Sequence, residues 1–289
     1  MKIYLILISL LLLVSCSKDK EITDIVPIST DYKLPQGKSS ADDRIVALYN
    51  QYSSYFLYEF TERDFVWTLT SDGSTKEAYS YTEGDPQYVG DMLDLLDEIW
   101  FGFYSKEFHQ RYMPYRVFLT SVLINNKDGK ECYLRQISNQ IAVGYCSKAL
   151  LAMTGKMKLE YKNDLQISLW KDWVDRGVFD IPREFYTVSD YSKEADLYDP
   201  SSPDYARVRG FVANSDGGEW CGWVNWQTKV LEKTDDLRAF LTSMVSKSSE
   251  QWESDLQYPL VKKKYNILRD YFLKEYDFDI QKIGDAMYE

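Results

Sequence analysis

The stretch IAVGYCSKALLAM, from Ile141 to Met153, decides how the rest of the chain is interpreted. Its residues are apolar or small apart from Lys148, a composition that favours a helix packed against a core. We therefore predict a helix over residues 141–153. This predicted helix contains no histidine and no glutamate, so the flanking sequence has to decide whether it belongs to a catalytic site.

Apolar runs before this stretch predict a sheet and two helices. YRVFLTSVLI, residues 115–124, is typical of a buried strand, and CYLRQIS, residues 132–138, predicts a second strand beyond the turn NNKDGKE. Apolar residues recur every three or four positions in residues 41–60 and 88–104, which indicates amphipathic helices. The first helix passes into a strand-like alternation near its end.

The second half of the chain has a different pattern. Residues 158–208 are rich in Tyr, Trp, Asp and Pro, and we expect an irregular region there. Helices are predicted at 219–233, 234–247 and 258–278, where apolar periodicity returns. The predicted fold class is therefore α+β, as a single domain that is mostly helical in its C-terminal half.

The N-terminus, MKIYLILISLLLLVSC, has the features of a secretory signal. A lysine precedes a short apolar run, which has fewer than the roughly 20 residues of a membrane span. The residues before Cys16 resemble a bacterial lipobox, which implies a signal peptide at 1–15 and lipidation of Cys16. An uncleaved anchor, or an ordinary signal with a chance cysteine, is the alternative. Residues 16–43 predict a flexible tether, and 44–289 the folded domain.

Charged residues directly after Cys16 resemble the export signals of some surface-exposed Gram-negative lipoproteins. We therefore expect an outer-membrane lipoprotein that faces the cell surface, with a periplasm-facing position as the alternative. The net charge of −11 and the lack of a basic stripe argue against nucleic acid as a partner. Besides Cys16, an odd number of cysteines remains (Cys132, Cys146 and Cys221), and no C-x-x-C pair is present.

Four segments carry a resemblance to a known family. They are NQYSSYFLYEFTERDFVWTL at 50–69, WFGFYSKEFHQRYMPYRVFLTSVL at 100–123, GFVANSDGGEW at 210–220 and NILRDYFLKEYDFDIQKIGDAM at 266–287. Together, over residues 44–288, they resemble the substrate import-associated zinc metallohydrolases, also called zinc-binding metallopeptidases. The resemblance implies a zincin-like domain, an H-E-x-x-H helix, a downstream acidic helix of the E-D-x-x-E kind, and a link to TonB-dependent transporters.

The H-E-x-x-H pattern places two histidines on one helix face, where both reach one zinc ion, while the glutamate polarises a bound water. The best match in this chain puts Gly144 and Lys148 at the histidine positions and Tyr145 at the glutamate. The only histidine is His109, about 35 residues upstream, so no register supplies a zinc-binding pair. We expect no metal, no cofactor and no catalytic residue of this type.

The acidic helix corresponds to residues 219–223, where Glu219 keeps the first acidic position and tryptophans replace the others. Glu219 is expected to pair with Lys148 across the vacated metal site. A solvent-exposed Lys148 is the alternative. This placement also predicts free, buried thiols at Cys146 and Cys221.

Aromatic residues make up 16% of the chain. Trp170 and Trp173 are predicted to be exposed and to bind a ligand, since flat rings suit sugars and peptides. Trp220, Trp223 and Trp226 follow helical spacing and indicate core packing. The leading hypothesis is an inactive scaffold that serves as an accessory or ligand-binding component of glycan or peptide import. The alternatives are a carboxylate-based hydrolase acting on an imported polymer and a purely structural accessory.

Overall fold

The computed structural model describes residues 32–66, 78–137, 139–213 and 231–289. The compact unit that contains the sheet and the helices begins at Leu34 and ends at Glu289. These residues form an α+β domain with a mixed sheet, which confirms the predicted fold class. Beyond residue 154 the described regular elements are helices, which matches the expected helical C-terminal half.

The sheet is built around one long strand. Its strands are β1 (Tyr55–Leu57), β2 (Tyr79–Glu83), β3 (Arg116–Asn125), β4 (Lys130–Glu131), β5 (Leu134–Ile137) and β6 (Gln140–Val143). The order β1-β3-β6-β5 runs across the first half of β3, with β1 and β6 parallel to it and β5 antiparallel to β6. The second half of β3 pairs antiparallel with β2 and β4.

Helices surround this sheet. In the first half of the chain they are α1 (Asp42–Tyr52), α2 (Glu62–Val66), α3 (Val89–Ile99) and α4 (Lys106–Tyr112). In the second half they are α5 (Gly155–Asp175), α6 (Arg183–Thr187), α7 (Lys233–Ser246), α8 (Ser249–Leu256), α9 (Pro259–Tyr276) and α10 (Gln281–Gly284). Three-residue 3₁₀ turns precede and follow α3, and a five-residue 3₁₀ turn spans Lys148–Ala152.

The two faces of the sheet have different coverings. Val117 and Leu119 of β3 belong to the large core that the helices form. Phe118 lies between them and points to the opposite face, because side chains alternate along a strand. There the centre of its ring lies 4.5 Å from the ring centre of Phe60 and 6.0 Å from that of Phe65. We call the first the helical face and the second the Phe65 face.

The sequence places most of these elements correctly. The predictions for strands at 115–124 and 132–138 and for helices at 41–60 and 88–104 correspond to β3, β5, α1 and α3. The helices predicted at 234–247 and 258–278 correspond to α7 and α9. The helix predicted at 219–233 lies almost wholly outside the described residues.

The irregular region predicted at 158–208 is wrong over its first part, because α5 extends through residue 175 as the longest described helix. Its start is fixed by Thr154, whose hydroxyl accepts a hydrogen bond from the Met157 N–H at 3.3 Å. Tyr161, Leu165 and Leu169 are buried along it at four-residue spacing. This four-residue spacing is visible in the sequence and indicates the helix that the composition of the region obscures.

Part of the predicted tether also belongs to the domain. The backbone N–H of Tyr58 donates to the Gln36 side-chain oxygen at 2.9 Å, and the Gly37 N–H donates to Asp42 at 2.8 Å. The Tyr58 hydroxyl donates to the same Asp42 carboxylate at 3.0 Å. These side-chain hydrogen bonds connect residues 36–42 to the domain, within the compact unit that begins at Leu34.

Candidate functional site

The prediction of a helix over 141–153 is wrong. Residues 140–143 form β6, in which Ile141 and Val143 pair with Val117 and Leu119 of β3. β-branched residues suit this central strand, and the sheet places them against the helical core. Only residues 148–152 are helical, as a 3₁₀ turn. Ser147 caps its start, since the Ser147 hydroxyl accepts a hydrogen bond from the Ala149 N–H.

The expected metal-site positions therefore lie on a strand end and a turn. Gly144 follows β6 directly, and its N–H donates to the Tyr133 carbonyl at 2.7 Å. Tyr145 has a left-handed backbone, with φ at 69°. Lys148 is exposed at the start of the 3₁₀ turn, which agrees with the alternative of a solvent-exposed lysine, while its pairing with Glu219 stays a prediction. These three residues do not share a helix face, and Glu219 lies outside the described residues.

Aromatic packing fixes this turn. The Tyr133 ring stacks on the Tyr161 ring of α5, with 4.7 Å between the ring centres. The centre of the Tyr145 ring lies 5.5 Å from that of Tyr133. The Tyr161 hydroxyl donates to the Gly144 carbonyl at 3.1 Å. An added Cβ at Gly144 would lie 2.9 Å from the Cys132 carbonyl oxygen. Glycine at this position therefore permits a close backbone approach.

Cys146, two residues further on, is free and buried, as predicted. Burial raises the pKa of its thiol to about 12, which keeps the sulfur protonated and unreactive. Cys132 is also free. Cys221 lies outside the described residues.

Two buried polar side chains, those of Lys162 and Gln166, lie on α5. Lys162 is completely buried, and its ammonium donates to the backbone carbonyls of Val245 at 3.1 Å and Ile283 at 2.8 Å. The Val245 carbonyl belongs to the last turn of α7, where the helix dipole favours a cation. Burial lowers the pKa of Lys162 to about 8, and the charge of Asp285 acts in the opposite direction.

One turn further along α5, Gln166 joins a buried hydrogen-bond chain. Its amide nitrogen donates to the Ile99 carbonyl at 2.9 Å, and its oxygen accepts from the Tyr104 hydroxyl. The indole of Trp170 donates to the same hydroxyl at 2.8 Å. Burial raises the pKa of Tyr104 far above its usual value, so this hydroxyl stays protonated. The chain links α5 to the C-terminus of α3.

Trp170 and Trp173 were predicted to be exposed, and this is wrong. Trp170 is 0% and Trp173 2% exposed. Their rings pack against each other at 5.3 Å within an aromatic cluster that includes Phe108 and Phe179. Because they lie on the inward side of α5, their faces are covered by core rings and not by solvent. Trp220, Trp223 and Trp226 lie outside the described residues.

A second buried cation lies between α7 and α9. The Lys264 ammonium is 2.7 Å from the Asp236 carboxylate, and the Tyr191 hydroxyl donates to that carboxylate at 2.5 Å. Aromatic rings surround the ammonium, the nearest being Phe211, whose ring centre is 4.5 Å away. Burial lowers the pKa of Lys264 and raises that of Asp236, while their mutual attraction opposes both shifts. This ion pair ties residues 188–213 to the helical core.

The described residues do not bring a set of zinc ligands together. His109 is buried in α4, its Nε2 lies 3.0 Å from the Phe101 carbonyl, and rings of Tyr52 and Tyr104 pack around it. Burial lowers its pKa. Within the described ranges, no three His, Cys, Asp or Glu side chains are grouped as metal ligands. No described helix is long and apolar enough to cross a membrane.

Neither a protein-family model nor a curated protein matches the chain. Among solved structures, the fold is similar to a crystal structure from Bacteroides caccae described as a "putative zinc-binding metallo-peptidase". That match covers 84% of this chain and 88% of the other, with a TM-score of 0.49 and 11% sequence identity. The likeness concerns the fold alone, and no site residue is carried over from it.

Proposed function

We propose that this chain is an outer-membrane lipoprotein, anchored through Cys16, whose metallohydrolase-like domain binds but does not cleave. In this proposal the domain acts as an accessory of TonB-dependent import, facing the cell surface, and its ligand is a glycan or a peptide. The lipobox-like sequence before Cys16 supports the anchor, and the family resemblance supports the link to import.

One observation carries the inactive part of the proposal. The inward face of α5 presents Lys162 and Gln166, whose polar atoms already bond to backbone carbonyls and to Tyr104. A buried ammonium repels a metal cation, and amide and ammonium groups are poor zinc ligands beside imidazole and thiolate. The interior is therefore filled by hydrogen bonds that hold the helices together.

Two measurements on the full chain test this proposal. Cells expressing it are labelled with a fatty-acid analogue, and Cys16→Ala is compared with the matched control Cys132→Ala. We expect label in the wild type and in Cys132→Ala and none in Cys16→Ala. Equal labelling of all three contradicts the anchor.

The purified protein is also incubated with a peptide library and a glycan panel, with and without a chelator. We expect binding without turnover, unchanged by the chelator. Hydrolysis that stops when the chelator is added contradicts the inactive scaffold. Hydrolysis that persists with the chelator favours a carboxylate-based hydrolase instead.

A further inference from the structure

Arg135 of β5 is a buried cation without an acidic partner among the residues that the structure describes. It is 1% exposed, and no carboxylate of the described residues pairs with it. Its guanidinium lies 3.7 Å from the centre of the Phe65 ring, and its Nη1 donates to the Phe65 carbonyl at 2.8 Å. These contacts hold one edge and one face of the group. Burying an unpaired charge costs free energy in any protein. The chain as a whole has a net charge of −11, so acidic residues outnumber basic ones.

The unused donors of Arg135 lie together. Its Nε and Nη2 are buried and have no hydrogen-bond partner within the described ranges. These two nitrogens form one edge of the planar guanidinium, and their N–H bonds point in parallel. A carboxylate or sulfate binds such an edge through two oxygens at once. The vacant edge therefore has the geometry of an oxyanion receptor.

A second guanidinium is on the same face of the sheet. Arg135 pairs with Ala142, which pairs with Phe118, so these residues share the Phe65 face. Arg116 lies two residues before Phe118 and points to this face as well. Burial is the main reason that the pKa of Arg135 is lowered to about 10, and the positive charge of Arg116 acts in the same direction. Arg116 also makes another interaction, and its positive charge lies on the same face of the sheet as that of Arg135.

Partly exposed tyrosines border this position. Tyr81 stacks on the Phe65 ring at 4.2 Å, and the phenol of Tyr79 interacts electrostatically with Arg135. Both rings lie on β2 and remain half-buried. Phe65 itself belongs to α2, a helix of only five residues. Because Arg135 is 1% exposed, binding of a ligand at the vacant edge requires this short helix to shift away from the sheet.

We propose that Arg135 and Arg116 form a binding site for a carboxylate or sulfate group carried by a small ligand. The site lies on the Phe65 face, across the sheet from α5, and is independent of the function proposed above. Arg135 holds the anion through its Nε–Nη2 edge, and Arg116 adds charge.

The test uses calorimetric titration of the full chain with sodium sulfate, sodium glucuronate and neutral glucose at constant ionic strength. Sulfate and glucuronate distinguish an inorganic ion from a sugar acid. Arg135→Met removes the cation, Arg135→Lys keeps the charge without the two-donor edge, and the exposed Arg183→Met is the matched control. We expect one site for at least one anion, with affinity at least tenfold weaker in both Arg135 variants and unchanged in Arg183→Met.

Two results overturn the proposal. The first is the absence of saturable anion binding, or equal binding by wild type and Arg135→Met. The second concerns Asp72 and Glu77, which lie outside the described residues. If Asp72→Asn or Glu77→Gln creates anion binding that the wild type lacks, the chain supplies its own counter-charge to Arg135. Circular dichroism of each variant verifies folding, and Arg135→Lys keeps the test valid if Arg135→Met does not fold.

Discussion

The buried cations on the two sides of the sheet differ in how many of their donors have partners. On the helical side, Lys162 binds two backbone carbonyls and Lys264 binds a carboxylate inside an aromatic cage. On the Phe65 face, one edge of the Arg135 guanidinium has no partner in the part of the chain that the structure describes. The partnered lysines hold helices together, whereas the vacant edge of Arg135 is the proposed ligand site. Under this proposal, the number of satisfied donors, and not burial alone, distinguishes a structural charge from a receptor.

The largest effect is expected at the ion pair of Lys264. Lys264→Ala leaves the Asp236 carboxylate buried without its counter-ion, which costs about 3–5 kcal/mol of unfolding free energy. Chemical denaturation measures this loss, and Lys263→Ala, an exposed lysine on the same helix, should stay within about 0.5 kcal/mol. A loss below about 1 kcal/mol in Lys264→Ala would mean that this pair does not organise the helical side.

A smaller effect is expected at Lys162. Lys162→Met leaves the carbonyls of Val245 and Ile283 without a donor, at a cost of about 1–3 kcal/mol. Lys148→Met is the matched control, because Lys148 is exposed. Equal stability of the two variants would show that the buried ammonium does not connect α5 to α7 and α10.

Lys162 also predicts a pH dependence. Its pKa is lowered to about 8 in the folded chain, against 10.5 for an unperturbed lysine. Between these values the unfolded chain binds more protons, so the contribution of Lys162 to stability rises with pH. The expected rise is about 1 kcal/mol from pH 8 to 9. Denaturation curves should show this rise in the wild type but not in Lys162→Met, and an identical slope in both proteins would refute the assignment.

The smallest effect is expected on the Phe65 face. Arg135→Met removes a buried charge that has no acidic partner among the described residues, and this gain offsets the loss of the contact with Phe65. We expect a change in unfolding free energy within about 1 kcal/mol. A loss near that of Lys264→Ala would place Arg135 among the structural cations and end the contrast between the two faces.

The sequence predicts elements whose periodicity is local and clear. The alternating apolar run of β3 and the three- and four-residue spacing of α3 and α9 suffice for correct assignments. Residues 141–153 fail because Ile141–Val143 is short and apolar, so only its pairing with β3 shows that it is a strand. The prediction of an irregular region over α5 is wrong because it relies on the high content of Tyr and Trp. The spacing of Tyr161, Leu165 and Leu169 follows a helical pattern.

The candidate sites depend on contacts that sequence spacing does not contain. The rings of Trp170 and Trp173 are of the type that binds sugars and peptides. However, both side chains lie on the inward side of α5 and are buried in the core. Arg135 and Phe65 are 70 residues apart along the chain, and no motif connects them. Lys162 likewise contacts backbone carbonyls 83 and 121 residues away. Such partners become visible only once the fold has brought the elements together.

The most direct test of the inactive scaffold is its zinc content. The purified full chain is incubated with excess zinc, passed through a chelating resin, and analysed by elemental mass spectrometry. Because the only histidine is buried against Phe101 and the inward face of α5 carries Lys162 and Gln166, we predict no stoichiometric zinc. About one tightly bound zinc per chain, retained after the resin, would contradict this account, since tight zinc sites are built from several suitable ligands.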